Sequence, residues 1–432
     1  MRVKRTLYDW LATFVGAGRR QRTRSLDVVS GLLWPILIPL VVLNGGCATD
    51  LGPRVAVPVG LVESAAVSDL ENIRFWGDSK QKDYAVLTER RIAAIRELYG
   101  DKAANVSRDS HFLTLSGGGS DGAFGAGLLV GWTERGDRPR FDFVTGVSTG
   151  AMMAPLAFLG PKYDAKLREA YTTLTDGDVA TPQILSALVG ASAGLADTTP
   201  LKGLVAKYMT AEMLAEIAAE HRNGRALMIG TTNLDAQRAV IWDIGAIAAS
   251  GSPSSLNLIR QIILASAAIP GAFPPVEIDV TAGGRRYQEL NVDGGVTRQV
   301  FLYPPGFSPK VIDGAIGWKI RRRLFIIRNT KVDPEFSETQ DQIIPIATRS
   351  ISTLIKTQGV GDLYQIYVTA KRDGVDYNLA YIPPDFAVPA KSAFDKTYMN
   401  ALFQRGYELG RAGYPWHKQP PGLDVNPHST HD

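Results

Sequence analysis

Two stretches of this chain repeat one pattern: a short apolar strand, a turn built on glycine, and an apolar helix. In the first, Phe112-Leu113-Thr114-Leu115 runs into Ser116-Gly117-Gly118-Gly119-Ser120-Asp121-Gly122, and Ala123 to Trp132 reads as a helix. In the second, Phe141-Asp142-Phe143-Val144 runs into Gly146-Val147-Ser148-Thr149-Gly150, and Ala151 to Leu159 starts another helix with Pro155 in its first turns. A strand that hands over to a helix cannot turn back on itself as a hairpin. Strands alternating with helices therefore predict an α/β fold with a mostly parallel central sheet covered by helices on both faces. Further strands are expected at 225–231, 239–243, part of 286–292 and 323–328. Helices are expected at 163–175, 210–221, 256–267, part of 340–372 and 393–411.

These elements place a single catalytic domain at 110–411. Residues 48–109 read as a linker followed by a helix at 83–99, and 412–432, rich in Pro and His, as a loose tail. With 45% hydrophobic and 21% charged residues among 432, disorder and coiled coil are excluded as the main state. No apolar run reaches the ~18 residues of a spanning helix, which excludes a polytopic membrane protein. The net charge of +4 arises in residues 1–47, where seven Arg and Lys face two Asp. With that segment set aside, nothing electrostatic favours a nucleic-acid partner.

The same N-terminal segment continues into a 13-residue apolar run, 31–43, which ends in Asn44-Gly45-Gly46-Cys47. A basic region, an apolar region and small residues, in that order, make a secretory signal. With the only cysteine of the chain directly behind it, the segment resembles a bacterial lipoprotein signal. Lipidation at Cys47 is what this implies, with the cell envelope, and the outer membrane by default, as location. The same order also fits a membrane-proximal anchor with an incidental thiol. One cysteine permits no internal disulfide.

Four motifs carry chemistry. Gly146-Val147-Ser148-Thr149-Gly150, between strand and helix, has the context of a nucleophile elbow. Gly146 and Gly150 leave room for neighbouring backbone while Ser148 points outward. Gly117, Gly118 and Gly119 let backbone N–H groups converge, as an oxyanion hole requires. Asn291-Val292-Asp293-Gly294-Gly295 puts a carboxylate on a strand end, although Asp-Gly is also a common turn. Ala265-Ser266-Ala267-Ala268-Ile269-Pro270-Gly271 ends a helix on small residues. Gly117, Gly119 and Gly122 also satisfy G-x-G-x-x-G, with Asp142 twenty residues further on, so a dinucleotide site competes for the same loop. No H-E-x-x-H or Cys/His cluster offers a metal site, and no cofactor is expected.

In this order and spacing the four resemble the patatin-like phospholipase family. The resemblance spans residues 116–295. It implies a patatin-like single domain and a serine acyl hydrolase of phospholipase A or lysophospholipase type that needs no cofactor. Ser148 matches the family's nucleophile and Asp293 its dyad partner, while Gly117, Gly118 and Gly119 match its oxyanion donors. Asp121 stands where the family usually has Arg or Lys, so the resemblance alone does not favour phospholipid over neutral ester. A dyad also suits the histidines. His111, His221, His417, His428 and His431 all fall outside the glycine-rich and strand-end loops where a triad histidine would be expected. Implied partners are a lipid ester and, through Cys47, a membrane surface. Two readings of other classes remain beside this one: a nucleotide-binding protein using the glycine loop, and a non-catalytic envelope lipoprotein.

Overall fold

The computed structural model describes residues 54–79, 84–100, 107–182 and 196–423. The apolar run at 31–43, Cys47, His428 and His431 lie outside the described residues, as does most of the apolar stretch 181–195. Among the described residues eleven strands are present: β1 Arg74–Trp76, β2 Ser107–Leu115, β3 Phe143–Gly146, β4 Thr181–Pro182, β5 Ala196–Asp197, β6 Ala226–Asn233, β7 Arg238–Asp243, β8 Val276–Ala282, β9 Arg285–Asp293, β10 Lys319–Arg328 and β11 Val375–Tyr381. β4 and β5 form a separate two-stranded ladder. The other nine make one sheet with the order β1-β7-β6-β3-β2-β10-β11, and β9 joins β6 and β8.

The five strands β6, β3, β2, β10 and β11 are mutually parallel, and every antiparallel pair of this sheet involves β7 or β9: β1–β7, β6–β7, β6–β9 and β8–β9. The sheet is thus mixed and mostly parallel. Its central strands are buried on both faces: Leu113, Leu115, Val144, Leu227, Ile229, Leu324 and Ile326 have no exposure. Such strands read as continuous apolar runs because helices cover both sides.

Following the chain, the helices used below are α1 Ala85–Tyr99, α2 Gly122–Arg135, α3 Thr149–Leu159, α4 Ser255–Ser266, α5 Ile343–Asp373 and α6 Lys396–Ala412. On one face α2 packs against α6 at backbone distance. A Cβ at Gly127 would collide with the Phe403 carbonyl and one at Gly406 with the Phe124 carbonyl. On the other face Leu363, Ile366 and Ala370 of α5 pack on Leu324, Ile326 and Leu379. α3 continues through Pro155 without a break.

Two stretches are more tightly integrated than their composition predicts. The stretch 48–80 is expected as linker, yet from Arg54 onward it packs on the domain. Leu70 and Ile73 are buried, β1 pairs with β7, and Arg74 Nη2 reaches Glu289 Oε1 at 2.9 Å. Three strand residues are too few to register as a pattern. Within the expected loose tail, Tyr414 to His417 pack on the domain. Trp416 packs 5.1 Å from Trp132 and 5.0 Å from Phe325 between ring centroids, and His417 pairs with the Leu379 backbone at 2.8 and 3.0 Å.

Candidate active site

β3 ends at Gly146 and α3 starts at Thr149, so the chain reverses within two residues. Ser148 takes up the reversal at φ 54° and ψ −125°, a conformation that costs a non-glycine residue of order 1–3 kcal/mol. The turn closes through Gly150 N–H to the Val147 carbonyl at 2.8 Å, and a Cβ at Gly150 would collide with the Leu115 carbonyl. Ser266, the last residue of α4, holds the strained residue from outside. Its Oγ accepts the Ser148 N–H at 2.9 Å and donates to the Gly230 carbonyl at 2.7 Å.

Sheet register brings Asp293 to the same point. β3 pairs with the first half of β6 and stops where Gly146 faces Ile229. Beyond that point β9 takes over this edge of β6 from the opposite direction, and Asp293 faces Thr231. Ser148 lies two residues past Gly146, and Thr231 lies two residues past Ile229, so the two side chains converge. Asp293 is fixed by its N–H donating to the Ala268 carbonyl at 2.9 Å and by Gly295 N–H donating to its Oδ1 at 2.7 Å. Burial pushes the Asp293 carboxyl up to about 6, and hydrogen bonds from the Ser148 side chain and Gly295 N–H pull the other way. One helix end, Ser266 to Ala268, therefore holds both the elbow and the carboxylate.

The glycine-rich loop follows β2, the strand beside β3. Asn329 braces it, donating its N–H to Ser116 Oγ at 2.8 Å and its Nδ2 to the Ser116 carbonyl at 3.0 Å, and accepting Gly125 N–H at 3.1 Å. Gly118 sits at φ 157°, and a Cβ there would collide with the Asn329 carbonyl, so only glycine fits. Gly117 lies against the elbow, where an added Cβ would be 3.2 Å from Ser148 Cβ. Its N–H, however, is committed to the Gln299 carbonyl at 3.0 Å. Of the three glycines read as donors, Gly118 and Gly119 are the two whose N–H groups take no partner among the described residues.

Residues 113–304 match the family model of the patatin-like phospholipases. This chain carries a patatin-like phospholipase domain. The family is one of lipid acyl hydrolases, and the domain spans the elbow, the glycine loop and the Asp293 segment. Among solved structures, VipD from Legionella pneumophila is similar at 12% identity and a TM-score of 0.33, over 70% of this chain and 66% of VipD. The chain thus spans just under two thirds of that protein's length. No curated protein matches the sequence.

Ser148 opens into a cavity of about 1650 Å³, walled by the matched segment together with residues from 328–360 and 393–399. Ser148, Asp293 and Gly118 to Asp121 lie on its wall, and Met152, Leu156, Leu204 and Phe273 contribute apolar surface. The volume exceeds the usual range for small-molecule sites, and an apolar wall of that size suits an acyl chain. Asp121 lies in this wall, and its Oδ1 accepts the Tyr398 hydroxyl at 2.6 Å. Burial raises its pKa to about 6, against the pull of that hydrogen bond.

No histidine among the described residues lines the cavity. His111 lies within β2, against Phe325. His221 Nδ1 is 3.9 Å from Asp243, and His417 stacks on Tyr381. The geometry also removes the dinucleotide alternative. Asp142 sits at the opposite end of the strands from the glycine loop. It is held there by Arg108 and Ser110, each at 2.8 Å, and by His111 N–H at 3.1 Å. Gly122, third of the G-x-G-x-x-G glycines, is covered by Thr149 and Tyr171. Among the described residues no group of three or more His, Cys, Asp or Glu could hold a metal ion. Sequence reasoning misses Ser266, Gln299 and Asn329 as functional positions, because all three act on backbone groups of distant segments. The small-residue motif around Ser266 was the one signal pointing to any of them.

Proposed function

We propose that this chain is a serine-dependent hydrolase of lipid esters, of phospholipase A or lysophospholipase type, working through a Ser148–Asp293 dyad. The observation that carries the reading is the handover on β6 from β3 to β9, which brings the two residues together on the wall of a largely apolar cavity.

In this reading Asp293 accepts the Ser148 hydroxyl proton as Oγ attacks the ester carbonyl. The Gly118 and Gly119 N–H groups face the developing oxyanion, aided by the N-terminus of α3. The tetrahedral intermediate collapses, the C–O bond breaks, and Asp293 returns the proton to the departing alcohol. Water then loses a proton to Asp293 and attacks the acyl-enzyme. The fatty acid leaves, and the proton returns to Ser148 Oγ. The strained elbow and the Ser266 bond fix the nucleophile before substrate arrives, which removes reorganisation from the chemical step.

Labelling with a fluorophosphonate probe tests the dyad. Wild type is expected to label, while Ser148→Ala and Asp293→Asn are expected not to. A folded wild type that does not react would overturn the proposal.

The sequence order ahead of Cys47 supports a second element, an envelope lipoprotein anchored at that residue. Metabolic labelling with a fatty acid, lost in Cys47→Ser, is the expected result, and an unlabelled wild type would exclude it.

A further inference from the structure

Arg328 ends β10, one residue past the pairing of Ile327 with Leu115. Its neighbours Ile327 and Asn329 face α2, both within contact of the Cβ position of Gly125. Arg328 therefore faces the opposite side of the sheet, toward α5. There its guanidinium occupies the space that a side chain at position 359 would need, and Gly359 supplies that space by having none.

The side chain has no exposure to solvent, yet it is almost unpartnered. Nε and Nη1 make no hydrogen bond, and Nη2 has only a long contact of 3.4 Å to the Lys356 carbonyl. Thr330 Oγ1, two residues on, is likewise buried without a partner. Both residues line the cavity into which Ser148 opens. Native proteins pair nearly all such groups, so three adjacent unpaired donors on one cavity wall call for an acceptor from outside the chain.

The carboxylates nearby are already engaged. Asp362 faces Arg328 but binds Arg298 at 3.1 Å and the Gln299 N–H at 2.7 Å. Glu335, also on the wall, serves Lys356 at 2.9 Å and Lys331 at 3.7 Å. Asp121, on the same wall, is held by Tyr398. On the wall itself Arg328, Arg349 and Lys356 stand beside Asp121, Asp176, Asp293 and Glu335, so what sets Arg328 apart is its lack of hydrogen-bond partners and not an excess of positive charge. Burial lowers the Arg328 pKa to about 10, which still leaves it charged at neutral pH.

We propose that Arg328 and Thr330 form an anion subsite that takes the phosphate of a glycerophospholipid while its ester lies at Ser148. The inference rests on the hydrolase reading above and adds the head-group preference that the sequence left open. A phosphodiester presents two non-bridging oxygens to the guanidinium fork, and the Thr330 hydroxyl supplies a third donor.

The test measures binding, so that it does not depend on turnover. On a Ser148→Ala background, dihexanoylphosphatidylcholine and dihexanoylglycerol are titrated calorimetrically, with and without Arg328→Met and Arg328→Lys. The Met variant is expected to weaken phospholipid binding roughly 10–100-fold more than diacylglycerol binding, with Lys intermediate. Equal losses for the two lipids, or none, would overturn the subsite. The unliganded Arg328→Met protein is expected to keep or raise its melting temperature, since it loses an unpaired buried charge. A marked drop for both variants would make Arg328 a structural brace and overturn the proposal. Inorganic phosphate separates the sources. Arg328-dependent binding of phosphate, with phospholipid affinity indifferent to Arg328, would mean a free-phosphate site and sink the head-group assignment. Arg328-dependent lipid binding by a protein that hydrolyses no ester would sink the hydrolase reading instead and leave the subsite standing.

Discussion

Asp293 gives a sharp test because the property that suits it to act as a base also burdens the fold. Its carboxyl is pushed up to about 6 by burial, from an ordinary value of 3.8. At 1.36 kcal/mol per pH unit that difference is ~3 kcal/mol. The sign follows from proton counts. Between about pH 4 and 6 the unfolded chain has released this proton and the folded chain keeps it, so the unfolded state binds fewer protons and stability falls as pH rises. Below that window the group contributes nothing adverse, and above pH 6 the full loss is present. Asn keeps an oxygen for the Gly295 N–H and never ionises. Asp293→Asn should therefore match wild type in melting temperature at pH 4 and exceed it by roughly 3–5 °C at pH 7, while ester hydrolysis is abolished. Wild-type kcat/KM should rise with pH through a midpoint near 6, as the base becomes free to accept a proton. The assay is a set of thermal melts of both proteins from pH 4 to 8, beside a pH–rate profile on a soluble ester. An Asn variant no more stable at pH 7 than at pH 4, relative to wild type, would refute the burial argument. One retaining most of its activity would refute the dyad.

Ser266→Ala removes the shared partner of the Ser148 N–H and the Gly230 carbonyl. It should cost about 1–3 kcal/mol in denaturant melts and lower kcat more than it changes KM. Gly118→Ala forces a Cβ against the Asn329 carbonyl and displaces an N–H that the proposed mechanism uses as an oxyanion donor; probe labelling should slow about 100-fold or more in protein that still shows native circular dichroism. Gly127→Val drives α2 and α6 apart at the Phe403 carbonyl. The expected result is roughly 1–3 kcal/mol of lost stability, with labelling per folded molecule preserved.

The parts of the site that lie on one continuous segment were legible in the sequence. A strand, Gly146 to Gly150 and an apolar helix form a local unit, and its elbow conformation follows from backbone sterics alone. The second glycine loop was legible for the same reason. The partition of its N–H groups was not, because Gly117 is engaged by Gln299, which lies 182 residues further along the chain. β8, Val276–Ala282, is half-exposed and carries Glu277 and Asp279 on its outer face, so it lacks the apolar run that marks the central strands. β1 is only three residues long and is held by pairing with β7, which no local pattern records. Asp293 was found through its Asp-Gly-Gly context and the order of motifs, not through proximity. What brings it to Ser148 is the length of β3. Had β3 continued two residues further along β6, β9 could not have paired there.

Arg328 and Asp293 put the same physical burden on the unliganded cavity from opposite signs. Each is an ionisable group held in apolar surroundings with less solvation than its charge requires, and each is less stable there than an isosteric neutral residue would be. A neutral ester would relieve neither. In the proposed reading a phospholipid changes both: its phosphate meets the guanidinium, and its ester carbonyl accepts the electron pair that Ser148 delivers as its proton passes to Asp293. The phosphate also matters to the base. An uncompensated negative charge in the cavity would raise the Asp293 pKa further and hold it protonated at neutral pH, opposing the first proton transfer. A phosphate neutralised by Arg328 does not. In that reading the buried guanidinium serves binding and chemistry through one interaction, which is a physical reason for keeping a charge that, unlike buried Arg225 and Glu289, has no close hydrogen-bond partner.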